Sequence, residues 1–175
     1  MRIRILSELH DSGALEKVAE ALREIYGEEV KVEFVDKLFD EKFLNSSRGQ
    51  YNAWLIVQNY KHVRADDEYL LLITLEDLYA AGLNYIFGLA WQGVAIVSTH
   101  RLTQEFYGLK PDRELFIERL VKEAVHEIGH LHGLTHCPDK RCVMAFSNWI
   151  GDTDYKSYRL CSRCERKLKL LKSKT

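Results

Sequence analysis

The stretch His126-Glu-Ile-Gly-His-Leu-His-Gly-Leu-Thr-His136 places three histidines, a glutamate and a glycine at fixed offsets. Residues four apart on a helix point the same way, so His126 and His130 can bring two imidazole nitrogens to about 2.0–2.1 Å from one metal ion. Glu127 is turned by about 100° from His126 and can reach water beside that ion. Gly133 can adopt a left-handed conformation, which ends the helix and turns the chain back. His136 is therefore predicted to be the third ligand.

Three neutral nitrogen ligands leave one coordination position of a zinc ion open, as in catalytic sites, and water there has its pKa lowered towards about 7. We expect Glu127 to act as general base on that water and to pass the proton to the leaving amine. HExxH alone is common by chance, but the added glycine and third histidine favour zinc over an ordinary helix with surface histidines. His132 has a non-ligand offset and is predicted to be a surface or supporting residue.

A second metal site is predicted directly after the first. All four cysteines follow His136, in the pattern Cys137-x4-Cys142 and then Cys161-x2-Cys164. Two short-spaced pairs are typical of a closed tetrahedral zinc site, whereas four free thiols or two disulfides are the alternatives. The sequence thus predicts two Zn²⁺ per chain, one catalytic and one structural. Because one peptide unit joins His136 to Cys137, loss of the structural zinc is expected to disturb the catalytic one.

Upstream of the motif, strand and helix patterns are mixed, which indicates an α/β sheet domain over roughly the first 110 residues. Strands are predicted at 2–7, 30–35, 69–74 and 94–99, and helices at 13–26 and 48–62, where the apolar run of the last segment also fits a strand. The long helix begins near Pro111, with Asp112 as its cap, and buries one apolar stripe as far as Leu131. Glu123 lies on another side of this helix with the motif residues.

Composition excludes several other classes of protein. The 175 residues include 25 Lys and Arg and 26 Asp and Glu. The resulting net charge of -1 gives no support for binding nucleic acid or an anionic membrane. No stretch reaches the roughly 20 apolar residues of a membrane span, and the first ten residues lack the apolar core of a secretory signal. We expect a cytoplasmic protein of one compact domain, divided into a sheet and helix subdomain at 1–133 and a C-terminal subdomain at 134–175.

The combination of HExxHxxGxxH with both cysteine pairs and Met144 resembles the archaemetzincin family of metzincin zinc peptidases. Weaker similarity extends upstream through 48–51 and 77–90. The resemblance implies an α/β (α+β) fold, with a twisted mixed sheet, helices above it, an active-site helix and a small zinc-stabilised C-terminal subdomain. It also implies a methionine turn at Met144 beneath the catalytic ion, with Gly133 and Met144 as structural support, and an edge strand near 93–98 that binds substrate backbone.

The function implied is hydrolysis of peptide bonds, in aminopeptidase fashion on short peptides. The chain departs from better-known metzincins at Phe146, where astacin-like members carry a tyrosine that can stabilise the oxyanion, and Tyr155 or Tyr158 could replace it. A zinc-stabilised binding or regulatory module with little peptidase activity is the alternative. Glu127 distinguishes the two, because metal binding alone requires only the histidines.

Overall fold

A computed structural model describes residues 1–174, so Thr175, the last residue of the predicted C-terminal subdomain, lies outside the described part. The strands are β1 Arg2–Ser7, β2 Val30–Phe34, β3 Leu44–Asn45, β4 Gln50–Asn52, β5 Glu68–Thr74, β6 Leu78–Tyr79, β7 Gly88–Trp91 and β8 Val94–Ser98. The helices are α1 Ser12–Tyr26, α2 Ala53–Tyr60, α3 Arg113–Leu131, α4 Ile150–Tyr155 and α5 Ser162–Ser173, with short 3-10 turns at Glu41–Phe43 and Glu105–Tyr107.

The main sheet has five strands in the order β2-β1-β5-β8-β7. All neighbours are parallel except β7 and β8, which form an antiparallel hairpin. A second sheet of three short strands has the order β3-β4-β6. The mixed sheet with helices packed against it confirms the predicted α/β (α+β) fold class.

The edge of the main sheet differs from the prediction. Every residue of β8 is buried, and β8 lies between β5 and β7, so the predicted edge strand near 93–98 is wrong. The edge strand is β7, which the sequence patterns do not reveal because all its residues are half-buried. Gln92 and Gly93 both have positive φ, 45° and 85°, as a tight two-residue hairpin turn requires.

The predicted helix over 48–62 is correct only in part. Its first residues form β4, which pairs with β3 and β6, and α2 begins after Asn52. The Asn52 side chain accepts a hydrogen bond from the Leu55 amide and so caps the helix. A cap at this position separates the strand from the helix, a boundary that the apolar run alone does not reveal.

Apolar side chains cover both faces of the main sheet. Ile3, Ile5 and Leu71 pack towards α1 and α3 on one face, whereas Leu70 and Leu72 pack towards α2 on the other. The first cluster also includes C-terminal side chains, namely Leu134, Val143, Met144, Leu160 and Leu168. The active-site helix is therefore held between the sheet and the C-terminal segment. Within residues 1–174, none of the helices combines the length and apolar composition needed to cross a bilayer.

Candidate active site

Helix α3 presents the first part of the site. Asp112 caps it as predicted, by accepting a hydrogen bond from the Leu115 amide, and Pro111 lies just before the cap. The predicted apolar stripe is buried at Leu120, Val121, Ala124 and Ile128. With that stripe fixed in the core, the side of the helix that carries the motif faces a cleft.

The turn after α3 brings in the third histidine. Gly133 has a φ of 100°, which strongly favours glycine, and its amide donates to the His130 carbonyl at 3.0 Å. The Leu134 amide donates to the Gly129 carbonyl, also at 3.0 Å, which closes the helix end. The reversed chain then places His136 beside His126 and His130.

The three imidazoles converge. One nitrogen from each histidine lies within 4.8 Å of the others, and the Nε2 atoms of His126 and His130 are 3.2 Å apart. Two nitrogens about 2.0–2.1 Å from one tetrahedral zinc lie roughly 3.3–3.4 Å apart. The Nδ1 atoms of His126 and His130 donate to the carbonyls of Val143 and Leu134, at 2.7 and 2.8 Å, which leaves both Nε2 lone pairs free. This donor set fits a zinc ion.

The electrostatics of the site favour neutral imidazoles. Burial lowers the pKa of His126 well below its ordinary value, and the positive charge of Lys156 acts in the same direction. Burial also lowers the pKa of His130. Neutral imidazole is the form that binds a metal, so near pH 7 protons compete little for these two nitrogens.

Glu127 lies in the wall of the same cleft, tightly against β7. The residue is only 4% exposed, and a methyl group on Gly88 would come within 2.9 Å of its Cγ. Burial raises the pKa of Glu127 well above its ordinary value, and the negative charge of Glu123 adds to this, whereas Lys156 opposes it. Gly88 therefore leaves the space that the Glu127 carboxylate occupies, a role that no sequence pattern indicated.

A buried ion pair lies one helical turn from Glu127. Glu123, which also lines the cleft, accepts a hydrogen bond from Thr153 at 3.0 Å and faces the Lys156 ammonium at 3.5 Å. The Lys156 side chain is fully buried and donates to the Ala145 carbonyl at 3.1 Å. Sequence reasoning missed Lys156, because a lysine between Tyr155 and Ser157 gives no sign of burial. It ties the segment after Met144 to α3.

The four cysteines form a separate cluster. Their Sγ atoms lie within 4.8 Å of one another, and those of Cys137 and Cys161 are 3.8 Å apart. Two thiolates about 2.3 Å from one tetrahedral zinc lie roughly 3.8 Å apart, so this set also fits zinc. All four are free cysteines, which excludes the two-disulfide alternative in this structure.

Backbone amides point at the sulfur atoms of the cluster. The Cys142 Sγ accepts from the amides of Met144 and Cys161, at 3.4 and 3.3 Å. Burial raises the pKa of Cys161, but hydrogen bonds from the Cys164 amide and from the other thiols outweigh it and lower that pKa to about 7. Burial raises the pKa of Cys142 and Cys164 instead. Among these three, Cys161 at the N-terminus of α5 is the one whose surroundings favour thiolate, the form of cysteine that binds zinc.

The predicted methionine turn packs against α3. Met144 is fully buried, and its Sδ would be 2.5 Å from a methyl group added at Gly129. The Cys137 amide donates to the Met144 carbonyl at 3.0 Å, so the turn also contacts the cysteine cluster. Gly129 thus allows the turn to approach α3 closely, between two of the histidines.

A cavity of about 600 Å³ opens in front of the histidines. Its upper wall is formed by residues 83–90, and its lower wall by Phe146, Ser147 and Asn148. The candidate oxyanion tyrosines are not among the residues that line it. Tyr155 packs against Arg141, and the Tyr158 hydroxyl donates to Glu24 at 3.0 Å.

His132 supports the site from inside the core. Its side chain is 5% exposed, so of the two predicted roles the surface one is wrong. Its Nδ1 donates to the Ile128 carbonyl at 3.0 Å, and its Nε2 faces Glu28 at 2.5 Å. The ring stacks on Tyr26 with centroids 4.6 Å apart. His132 fixes the end of α3 to the neighbouring α1 segment.

Three imidazoles around one point, a carboxylate beside them and an open cleft on a mixed sheet define the class of zinc metallopeptidases. Comparison with known proteins gives the family. The model of Peptidase family M54 matches residues 9–170. The chain therefore belongs to this family and is a zinc-dependent peptidase.

The relatives are archaemetzincins. That of Pyrococcus furiosus is 51% identical over 125 residues, which cover 69% of this chain and 65% of that protein. That of Pyrococcus abyssi is 47% identical over 150 residues, covering 82% and 79%. The crystal structure of archaemetzincin from Methanopyrus kandleri superposes with a TM-score of 0.86 at 36% identity, covering 99% of this chain and 96% of that one. The predicted family resemblance is thus confirmed.

Proposed function

We propose that the chain hydrolyses peptide bonds with Glu127 as general base and with two zinc ions, one at each cluster. His126, His130 and His136 would hold the catalytic ion, and the four cysteines the structural one. The observation that carries this proposal is the Glu127 carboxylate, which is buried in the wall of the same cleft that the three imidazoles line. A protein that only binds metal has no need of a buried carboxylate there.

The side chains divide the chemistry between them. Zinc, when bound, supplies a Lewis acid that acidifies water and polarises the scissile carbonyl. A Glu127 carboxylate oxygen accepts a proton from the attacking water and delivers it to the leaving amine nitrogen. Lys156 favours the ionised carboxylate, as any nearby cation does.

We further propose aminopeptidase-like action on short peptides. The Glu127 carboxylate lines the cleft, the charge of the neighbouring Glu123 is offset by Lys156, and neither lysine nor arginine is among the described residues that line the cleft. A carboxylate in a wall without cationic side chains attracts the ammonium group of a peptide amino terminus and repels a free carboxylate.

Cleavage by wild-type protein and Glu127→Gln should be compared on a peptide library, with zinc measured in both. We expect Glu127→Gln to retain its zinc and to lose activity by about 10²- to 10⁴-fold, the usual contribution of a general base. Glu118→Gln, an exposed change on the same helix, is the matched control. Full cleavage by Glu127→Gln would reject Glu127 as the general base, whereas a wild-type protein that binds zinc but cleaves no peptide would support the binding-module alternative.

The predicted subdomains and location are also part of this proposal. A division after Gly133 is supported by the turn there, since residues beyond it carry the methionine turn and the cysteine cluster. A cytoplasmic location is supported by four free thiols at zinc-binding distances, because such sites persist in reducing compartments.

A further inference from the structure

A tyrosine hydroxyl crosses the cleft. Tyr85 stands in the upper wall before β7, and its hydroxyl donates a hydrogen bond of 2.8 Å to the carbonyl of Asn148 in the lower wall. The two residues are 63 positions apart in the sequence, so the contact joins separate segments. We call the Tyr85–Asn148 contact the cleft strut.

Both ends of the cleft strut are fixed. The guanidinium of Arg101 stacks on the Tyr85 ring, 4.1 Å from its centroid, and makes two hydrogen bonds of 2.9 and 2.8 Å to Asp77. At the other end, the Asn148 amide donates to Asp152 at 2.9 Å. A tyrosine held by a paired arginine, bonded to a backbone held by a carboxylate, is a built crossing of the cleft rather than a chance contact.

The cleft strut lies to one side of the catalytic centre. Gly88 marks the level of the centre on the upper wall, because it abuts Glu127, and Tyr85 precedes it by three residues. At about 3.3 Å per extended residue, the Cα atom of Tyr85 lies at most roughly 10 Å from that of Gly88. On the lower wall the Phe146 ring is 5.2 Å from the His136 ring, and Asn148 lies two residues further on.

We propose that the cleft strut closes one side of the cleft and so limits a bound peptide to about three residues beyond the scissile bond on that side. Tyr85 is then a specificity-determining residue, and the substrates are peptides with a free end close to the bond that is cut. The inference rests on the proposed function for its assumption that a peptide lies along this cleft. It follows that the enzyme does not cut in the middle of long chains.

The test uses binding, so that it does not depend on the role of Glu127. Two series of alanine peptides carry a zinc-binding hydroxamate, at the carboxyl end in one series and at the amino end in the other. Each is extended from one to six alanines, and its affinity for zinc-loaded protein is measured by calorimetry. We expect one series to lose at least tenfold in affinity after about the third alanine, and the other to keep its affinity.

The variants assign that loss to the cleft strut. Tyr85→Phe removes only the hydroxyl and should reduce the loss, and Tyr85→Ala, which also removes the ring, should abolish it. Tyr158→Phe makes the same chemical change outside the cleft and should leave the loss unchanged. Thermal melting of each variant checks that it is folded.

The inference is overturned if both series keep their affinity through six alanines, or if neither Tyr85 variant changes the loss. A loss of affinity in the carboxyl-hydroxamate series, whose peptides extend towards the amino terminus, would support both the cleft strut and aminopeptidase-like action. A loss of affinity in the other series would support the cleft strut and contradict aminopeptidase-like action. The two proposals can therefore fail separately.

Discussion

The histidine cluster and the cysteine cluster are adjacent in the chain but face different surroundings. The histidines progress from buried His126 through half-buried His130 to exposed His136, and they open on a cleft. The cysteines are buried except for half-buried Cys161, and backbone amides donate to the sulfur atoms of Cys142 and Cys161. Ligand type and exposure differ together, as the proposed pair of a reactive zinc and an inert zinc requires.

The clusters are also joined through covalent and hydrogen bonds. His136 and Cys137 are adjacent, and the Cys137 amide donates to the Met144 carbonyl, in the segment that packs against α3 at Gly129. The cysteine cluster is therefore bonded directly to His136, one of the three converging histidines. The proposed catalytic role of the histidine cluster and structural role of the cysteine cluster can be tested by mutating each cluster separately.

His130→Ala damages the open site alone and has the largest expected effect. Activity should fall by on the order of 10³-fold or more, because zinc supplies several kcal/mol of transition-state stabilisation. Metal analysis should show the cysteine-bound zinc retained and the histidine-bound zinc lost, because the cysteine cluster contains none of the histidines. His62→Ala, on the surface, is the control. Loss of both metals in His130→Ala would show instead that the cysteine cluster cannot hold its zinc without the histidine site.

Cys161→Ser damages the closed cluster. We expect a loss of at least about 3 kcal/mol in the free energy of unfolding, since the energy of structural zinc binding is folding energy. The histidine site should also lose zinc, because Cys137 is released beside His136. Chemical denaturation and metal analysis measure the two effects, with Ser162→Ala as control. One full equivalent of zinc with normal activity would refute the coupling.

Gly88→Ala changes the shape of the open site without touching a metal ligand. The added methyl group would overlap the Glu127 side chain and the Ile96 carbonyl, so kcat should fall roughly 10- to 100-fold while zinc content is kept. The fall in kcat caused by Gly88→Ala should be smaller in a Glu127→Asp background, because the shorter side chain relieves part of the overlap. An equal cost in both backgrounds would mean that the methyl group acts through the strand instead.

Lowering the pH should reduce the stability of the metal-free protein through the histidine cluster, and this is the smallest of the expected effects. His126 stays neutral when the metal-free protein is folded but gains a proton below its ordinary pKa of 6.5 when unfolded. At His126 the unfolded state then binds more protons, so this residue makes stability fall as pH falls, by up to about 1.4 kcal/mol per pH unit. Burial raises the pKa of Glu127, which acts in the opposite direction, so the test compares two proteins that share Glu127. Urea unfolding of metal-free wild type and His126→Asn between about pH 7.5 and 5.5 measures both slopes. The variant should lose less stability on acidification than the wild type, and equal slopes would exclude a contribution from His126.

Sequence reasoning predicted what depends on short spacing. The helical offsets of His126 and His130, the glycine turn at Gly133 and the four cysteines each follow from local geometry, and the structure brings each set together. The strands with continuous apolar or alternating patterns were also predicted correctly, because burial on two faces or one leaves that pattern in the sequence.

What remained hidden depends on contacts between distant segments. The edge strand β7 has no distinctive pattern, so the edge was assigned to its hairpin partner β8. Gly88 matters only because Glu127 approaches from another element, and the buried Lys156 only because Glu123 faces it. The role of such residues follows from the side chains that they contact, and spacing along the chain does not identify those contacts.

The complete burial of Lys156 makes its amine a natural reporter of motion. Acylating reagents react with free surface amines, and this one is enclosed between Glu123 and the Ala145 carbonyl. Its rate of labelling, followed by mass spectrometry, would therefore measure how often the lower wall of the cleft separates from α3. The native lysine thus reports local opening of the enzyme without any added probe.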